Sequence, residues 1–548
     1  MLALVLVLVL GTALRLWPRI VLPNAIVSDT YFHLFCARAI RANRMRVPDR
    51  LPGIVLPHRY TYPFLYSWLL ALFPERAWPW AERATGAVFD ALNTVIVYAF
   101  AQWAVQHAPP PGALPAHLIP LAAATLYALN PALLRLGSGP RAYAGSPRVF
   151  GQTLYLLHLT TAAYALATGS RTALAICVVS CAATFVVAKF GIQVLVFFGV
   201  PFALLVSPWY AAVVGAGLVL AVAATAGRAW RVLEGQVRHS WFYARHLQRR
   251  YLEPHLRKPD DYHQHRTWHW RNFRNTRKAE RLIRWSFDET YWPHLLVTVF
   301  PQFLLLPAYF AAGAWQSPFD AFLLVWAGAG LLWFFLTKSR RLLFLGEGER
   351  YLEYALVPSL LLLLRYVPWW GLAPLGLYTL YCAAASAFHA RLFVERFRAA
   401  NDEAPATLEA FARLNSLTPG AVLPLGSHHW RAAYHVAFPI VTHGANVDER
   451  LLSLDEFALV LGNYPYPSSD IEGVLRRYDV AYLVTDEISL RAFIERHLGG
   501  DDRLSPMLDP IWRTPSLVLA HVRRDDARAY PREQAADGVA TAAVRAAS

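Results

Sequence analysis

About eleven stretches of this chain are apolar over the length that a helix needs to cross a bilayer, and that repetition leaves few folds open. They cover residues 2–21, 84–105, 114–135, 149–168, 171–188, 190–207, 209–227, 293–313, 319–337, 351–367 and 371–392. With 56% hydrophobic and 16% charged residues over 548 positions, the chain has too little charge to surround such runs with a soluble surface. A polytopic α-helical membrane protein is expected. Within 171–227 the only punctuation is Lys189 and Ser207-Pro208. The first run is broken only by Arg15 and Arg19; it has no basic leader and no small-x-small cleavage site, so it reads as a retained anchor. Cys36, Cys177, Cys181 and Cys382 lie in or beside apolar runs and read as small core residues, not as a disulfide framework or a metal site.

Hydropathy changes near Ala399. The pattern divides the chain into a membrane domain (1–398), a soluble α/β domain (399–524) and an Ala-rich polar tail expected to be disordered (525–548). In the soluble part, 421–425, 480–485 and 516–522 are strand-like. Residues 454–461, 471–478 and 488–498 have helical periodicity. That alternation predicts a small, mostly parallel sheet. No G-x-G-x-x-G or Walker loop is present.

The net charge is +15, and residues 228–287 hold fifteen Lys/Arg against five Asp/Glu. In a polytopic chain this points to anionic lipid or lipid phosphate, not to nucleic acid. Trp230, Leu233, Val237, Trp241, Ala244, Leu247 and Tyr251 recur at helical spacing, with arginines mostly off the stripe, so the basic loop (about 228–292) should open with an interfacial helix. With the N-terminus inside, eleven spans place the 22–83 loop, the basic loop and the C-terminal domain outside, against the positive-inside preference for the basic loop. His263, His265 and His269 have no carboxylate or Cys partner and lie among arginines, which makes a poor metal site.

Directly after the first apolar run comes Ser28–Tyr62. Asp29 leads a helical pattern with Phe32, Phe35, Cys36, Ala39 and Ile40 on one face and His33, Arg38, Arg41 and Arg44 largely off it, so this helix should lie on the membrane surface. Two readings of Asp29 stand: a helix cap, or a general base at the water–lipid boundary. Arg141 and Arg148, among Gly, Ser and Pro, suit either phosphate binding or interface anchoring; His58-Arg59, Arg340-Arg341 and Arg350 share that ambiguity. Glu349 can orient Arg350 or Arg341, or serve a structural ion pair. Asp90 and Asn93 inside a span suit a buried interhelical hydrogen bond.

The run Asp29-Thr-Tyr-Phe-His33, followed by Tyr62-Pro-Phe-Leu-Tyr-Ser-Trp-Leu-Leu70, resembles the first external loop of GT-C membrane glycosyltransferases. Its D-x-Y-x-H form is similar to oligosaccharyltransferase catalytic subunits. Gly346-Glu-Gly-Glu-Arg-Tyr-Leu352 is similar to the acidic-Arg-aromatic motif of lipid-linked mannosyltransferases in the same superfamily. The resemblance implies a polyprenyl-phosphate-linked sugar donor, an acceptor that is a glycan, lipid or protein, and Asp29 as base. The donor phosphate would be met by His33, His58, Arg59, Arg141, Arg148, Arg341, Glu349, Arg350 and Tyr351. It also implies residence in the plasma membrane, with the site and the C-terminal domain on the extracytoplasmic face. Two departures stand out. Residues 137–150 lack the acid that metal-dependent oligosaccharyltransferases carry there, and Trp369-Trp370 is followed by Gly371 where those enzymes' soluble domain has a Trp-Trp-Asp signature. Both favour an inverting, metal-independent transferase with no cofactor; a divalent metal, an oligosaccharyltransferase and a lipid-linked glycan transporter are the alternatives.

Overall fold

The computed structural model describes residues 2–135, 141–252, 275, 279–288, 292–339, 341–444, 446, 448, 450–453, 456–457, 471–498, 500, 502, 504–514 and 516–523. Helix α1 (Leu2–Val21) turns Leu2, Leu6, Val9 and Ile20 outward and buries Gly11, Arg15, Pro18 and Arg19. That inversion suits a lipid-facing helix whose polar residues must find partners inside the bundle. Next come α2 (Ser28–Ala42), α3 (Leu65–Leu72) and α4 (Trp78–His107). They are followed by α5 (Ile119–Ala128), α6 (Pro147–Thr168), α7 (Arg171–Val187), α8 (Lys189–Leu205), α9 (Trp209–Ala224) and α10 (Arg228–Phe242). Helix α4 packs on α1, α5 and α6, and α7 packs on α6 and α9.

Among the described residues, five helices are long and apolar enough to cross a membrane: Leu2–Val21, Glu75–His107, Ala116–Leu133, Pro318–Thr337 and Trp369–Asn415. The bent pair Trp209–Ala224 and Arg228–His246, at 115°, makes a sixth if it is one span. Several of the eleven expected runs depart from single long apolar helices. Residues 293–313 break into α11 (Trp292–Thr298), α12 (Pro301–Leu304) and α13 (Leu306–Ala311), with prolines at 301 and 307 starting new turns. Helix α14 is Pro318–Thr337, and the run at 351–367 divides between α15 (Glu349–Tyr354) and α16 (Leu356–Tyr366). Helix α6 is 22 residues long but carries Arg148, Gln152, His158 and four threonines, which lower its hydropathy.

Helix α17 (Leu372–Asp402) runs unbroken through the expected boundary at 398–399, and α18 (Ala404–Asn415) follows. The C-terminal domain holds strands β1 (Ala421–Pro424), β2 (Val480–Thr485), β3 (Leu508–Thr514) and β4 (Leu517–Val522) in the order β1-β2-β4-β3. Only β1–β2 is parallel; β2–β4 and β3–β4 are antiparallel, which corrects the mostly parallel expectation. A link this short between β3 and β4 can only fold back as a hairpin. Helices α19 (His429–His435), α20 (Ile471–Arg477) and α21 (Glu487–His497) complete the domain. Of the expected helix at 454–461 only Glu456 and Phe457 fall among the described residues, and His263, His265, His269 and the tail lie outside them.

Helix α2 is not the half-exposed amphipathic helix expected: residues 30–37, 39 and 40 are all buried in the protein. Its aromatic face is clamped between α3 and α19: Phe32 meets Trp430 at 4.6 Å between ring centroids, and Tyr31 meets His435 at 5.3 Å. Arg38 donates to the Tyr434 carbonyl at 2.7 Å and lies 4.2 Å over that ring. The loop after α2 is stitched to the same domain, with Val55 N–H to Ile440 O at 2.9 Å and Ile440 N–H to Gly53 O at 2.7 Å. Leu56 and Phe242 are buried in the sheet's own core beside Val441, Leu483 and Phe457. Helix α10 turns Trp230, Val237 and Trp241 outward and buries Ala229, Val232 and Gly235.

Candidate active site

Asp29 is the second residue of α2, whose N-cap is Val27, so it does not fill the cap position. Asp29 keeps solvent access at the rim of a recess otherwise lined by protein, and it makes no hydrogen bond among the described residues. Tyr62, Lys189 and Arg350 surround it, each half-buried. The Lys189 ammonium lies 4.9 Å over the Tyr62 ring, and Arg350 lies 5.6 Å over the ring of Phe190, the residue after Lys189. Protein packed around the recess removes bulk water from Asp29 and raises its pKa above the ordinary 3.8; the Arg350 and Lys189 charges pull it part of the way back. An unengaged carboxylate with a raised pKa, facing two cations, can accept a proton while an anion is held beside it.

The other residues expected at the site divide. Arg350 is in the recess and pairs with Glu347 at 2.5 Å. Glu349 pairs with Lys338 at 2.5 Å and so orients neither Arg350 nor Arg341; Arg341 is exposed. Arg148 grips Glu353 with bonds of 2.7 and 2.8 Å. Arg141 is buried and bidentate on Asp90 at 2.7 Å through each nitrogen, while Arg15 reaches the same carboxylate at 2.7 Å from α1. Asp90 is thus an interhelical ion-pair centre joining α1, α4 and the segment before α6, with Asn93 at 3.4 Å. Arg19 and Glu82 form a second buried pair.

His33 is buried, bonds Ser67 Oγ at 3.0 Å and backs the Tyr62 ring at 5.8 Å between centroids. His58 accepts from the Leu51 N–H through Nε2 at 2.8 Å and donates from Nδ1 to the Leu56 carbonyl at 2.8 Å. It is therefore neutral, and burial pulls its pKa down. Arg59 is exposed on the rim of a small cleft with His443 and Asn446. Tyr351 is fully buried against Phe190, with 4.7 Å between ring centroids.

The sequence reading misses Lys189 and Glu353. Lys189 reads as punctuation between two apolar runs, yet a lone charge in such a place is itself the signal of a cavity. Glu353 lies inside a presumed span, for the same reason. One helical turn beyond Lys189, Ile192 opens an apolar groove of about 460 Å³, walled by Phe197 of α8, Val237 and Trp241 of α10, and Phe344. Metal-dependent enzymes of the resembling family hold a divalent ion with carboxylates. Among the described residues no group of three or more His, Cys, Asp or Glu side chains could hold one, and Asp29 faces two cations that repel it. The residues do not fit a metal there.

No protein-family model matches the chain, and no curated protein matches it in sequence. Among solved structures, ArnT from Cupriavidus metallidurans in the apo state superposes with a TM-score of 0.53 at 13% identity, over 94% of this chain and 97% of ArnT. An oligosaccharyltransferase from Archaeoglobus fulgidus, tethered to an acceptor peptide with an NVT sequon, gives 0.51 at 13% identity, over 90% and 71%. The Archaeoglobus fulgidus oligosaccharyltransferase AglB, with an inhibitory peptide and a dolichol-phosphate, gives 0.51 at 12% identity, over 95% and 74%. The helical bundle, helix α2 with Asp29 and the appended C-terminal domain thus together have the fold of the ArnT and Archaeoglobus fulgidus oligosaccharyltransferase structures.

Proposed function

We propose that this chain is an integral membrane glycosyltransferase that moves a sugar from a polyprenyl-phosphate-linked donor to an acceptor hydroxyl with inversion. Asp29 removes the hydroxyl proton as its oxygen attacks the anomeric carbon, on the face opposite the departing phosphate. Arg350 stabilises the charge that builds on that phosphate. The apolar groove beside α8 takes the first isoprene units. The site and the C-terminal domain face the extracytoplasmic side.

The observation that carries this reading is the setting of Asp29: open, unengaged, second in its helix, and facing the cations Lys189 and Arg350. The GT-C fold supports it, since a loop carrying an acid at the membrane boundary is where such a fold can place a base. A transporter would need the cations but no base.

The test is sugar transfer from a radiolabelled polyprenyl-phosphate hexose in membranes, comparing wild type with Asp29→Asn, each with and without EDTA, to both endogenous glycolipid and an Asn-containing peptide. Activity that survives EDTA and falls about 10²–10⁴-fold in Asp29→Asn is expected. Equal activity in both would remove Asp29 as the base. EDTA-sensitive transfer to the peptide alone would replace this reading with protein glycosylation.

A further inference from the structure

We infer that a groove between α4, α6 and α7, in the half of the bilayer away from Asp29, binds an anionic phospholipid of the surrounding membrane, with the lipid phosphate on Arg171. The groove has a volume of about 540 Å³ and is walled by Ile96, Phe100 and Trp103 of α4, Leu157 and Tyr164 of α6, and Ile176 of α7. Thr160, Thr161 and Ser170 also line it but engage their hydroxyls within the protein. The two threonines donate to the Leu157 carbonyl at 3.2 and 2.6 Å, and Ser170 Oγ accepts from the Ala173 N–H at 3.3 Å. Such a wall offers water few partners, so in a bilayer hydrocarbon fills it.

The helices carry the groove away from the recess. Arg148, in the first turn of α6, grips Glu353, which shares a short helix with Arg350. At about 1.5 Å per residue, the 22 residues of α6 end about 33 Å from there. Helix α7 starts at Arg171 and returns to Val187, two residues before Lys189. The mouth of the groove is thus at the far end, where α6 passes into α7. Trp103 lies there, with its ring centroid 5.4 Å from Tyr164 and 5.1 Å from His107. Amphipathic rings of this kind sit at the headgroup level of a membrane. An acyl chain that runs from them toward Ile96 and Ile176 leaves its headgroup beside Arg171.

The charge at that end selects an anionic headgroup. Gly112 N–H to Arg365 O at 2.7 Å and Ala113 N–H to Val367 O at 2.8 Å join two of its links. Phe319 packs on Trp103 at 5.6 Å, and Phe322 on Phe202 at 4.9 Å, which brings the start of α14 and the end of α8 to the same level. The links there, residues 108–116, 169–170, 206–208, 312–317 and 367–371, contain no Lys, Arg, Asp or Glu. Asp320, at the start of α14, is taken by Arg365 at 2.7 Å and by the Tyr366 hydroxyl at 3.0 Å. Arg171 is exposed and, among the described residues, forms no ion pair. The chain gives it no counter-charge; a phosphate at the mouth of the groove does, within reach of a guanidinium that can hold two of its oxygens. In the orientation proposed above, this is the cytoplasmic leaflet, whose surface is anionic. A lipid seated there bridges three helices and stabilises the folded chain alone.

The test compares wild type, Arg171→Gln, Arg171→Lys and Ile176→Trp as full chains in detergent, by native mass spectrometry and by thermal melts. The probes are phosphatidylglycerol and phosphatidylcholine with the same acyl chains. Wild type should bind phosphatidylglycerol about tenfold more tightly than phosphatidylcholine, and only the former should raise Tm clearly. Arg171→Gln should lose both the preference and the rise in Tm while binding phosphatidylcholine as wild type does, and Arg171→Lys should regain most of the preference. Ile176→Trp, which fills the groove from an exposed position, should weaken both lipids. Equal binding of the two lipids by wild type, an unchanged preference in Arg171→Gln, or undiminished binding by Ile176→Trp overturns the inference. None of these readouts involves sugar transfer, so either result leaves the transferase reading standing.

Discussion

At Asp29 the same physics sets both activity and stability. Its folded-state pKa is raised by desolvation, with Arg350 and Lys189 opposing. A carboxylate must be ionised to act as a base, so kcat/KM should rise with pH along a limb whose midpoint lies above the ordinary 3.8. Arg350→Gln removes the largest opposing charge and should move that limb to higher pH; a limb that stays in place would separate Arg350 from Asp29. The stability sign runs the other way from that of a salt-bridged acid. The folded chain holds the Asp29 proton more tightly than the unfolded chain, so ionisation costs stability as pH rises through 3.8 and the raised value. Asp29→Asn removes the cost: above that window it should be inactive yet melt no lower than wild type, whereas a helix cap would melt lower. Buried Arg141 answers differently. Arg141→Met takes away the bidentate partner of buried Asp90 and leaves it to Arg15, and about 1–3 kcal/mol of stability should disappear, read as a fall in detergent melting temperature. Arg141 between Gly and Pro looks like a phosphate ligand in the sequence because its partner, Asp90, is 51 positions away. A local pattern carries no information about a contact of that range.

Among the elements, α10 shows how much a periodic pattern can tell. Its helical stripe of Trp230, Leu233, Val237 and Trp241 was legible, and so was its basic flank. What was not legible is which face would find a partner. The buried face is Ala229, Val232 and Gly235, small residues that let α10 sit on the loop after α2 and on the C-terminal domain. Arg228 and Arg231 bind Asp49 there at 2.7 and 2.8 Å, and Arg238 reaches Asp448 at 3.3 Å. A Cβ on Gly235 would meet Thr61 Oγ1 at 2.3 Å and Thr61 Cβ at 2.4 Å, with Asn446 at 3.2 Å. No flexible side-chain tip yields in that contact, so Gly235→Ala should lift α10 and cost about 1–3 kcal/mol. A melting temperature within a degree of wild type would show that the helix is held by its ion pairs alone. The lifted helix also opens the groove that it shares with α8, so the same variant should weaken binding of a polyprenyl chain.

For the whole molecule, the hydropathy change near Ala399 marks a domain in composition but not a detachable one. A composition boundary records where lipid ends; it says nothing of which surfaces pair across it. Here α17 carries the chain unbroken over the boundary, and the C-terminal sheet completes its core with Leu56 from the loop after α2 and Phe242 from α10. The loop adds a two-way backbone bridge at Ile440, and α2 contributes Phe32 and Arg38 to α19. Removing the domain therefore means breaking backbone hydrogen bonds and exposing buried aromatic surface on both sides, which is unfavourable by many kcal/mol. The closure also places the domain against the helix whose first turn holds Asp29, so that the proposed base should keep its position only while the domain is seated. A protease site inserted after Asp402 tests this arrangement. After cleavage the C-terminal fragment should stay with the membrane fragment through detergent extraction and affinity purification, held by the loop and α2. Phe32→Ala, which empties the Trp430 contact, should allow release of the cut fragment and, in the uncut chain, lower sugar transfer with Asp29 untouched. Release of the wild-type fragment on cleavage alone would mean that the covalent link through α17 holds the two parts together, and that the soluble domain does not position Asp29.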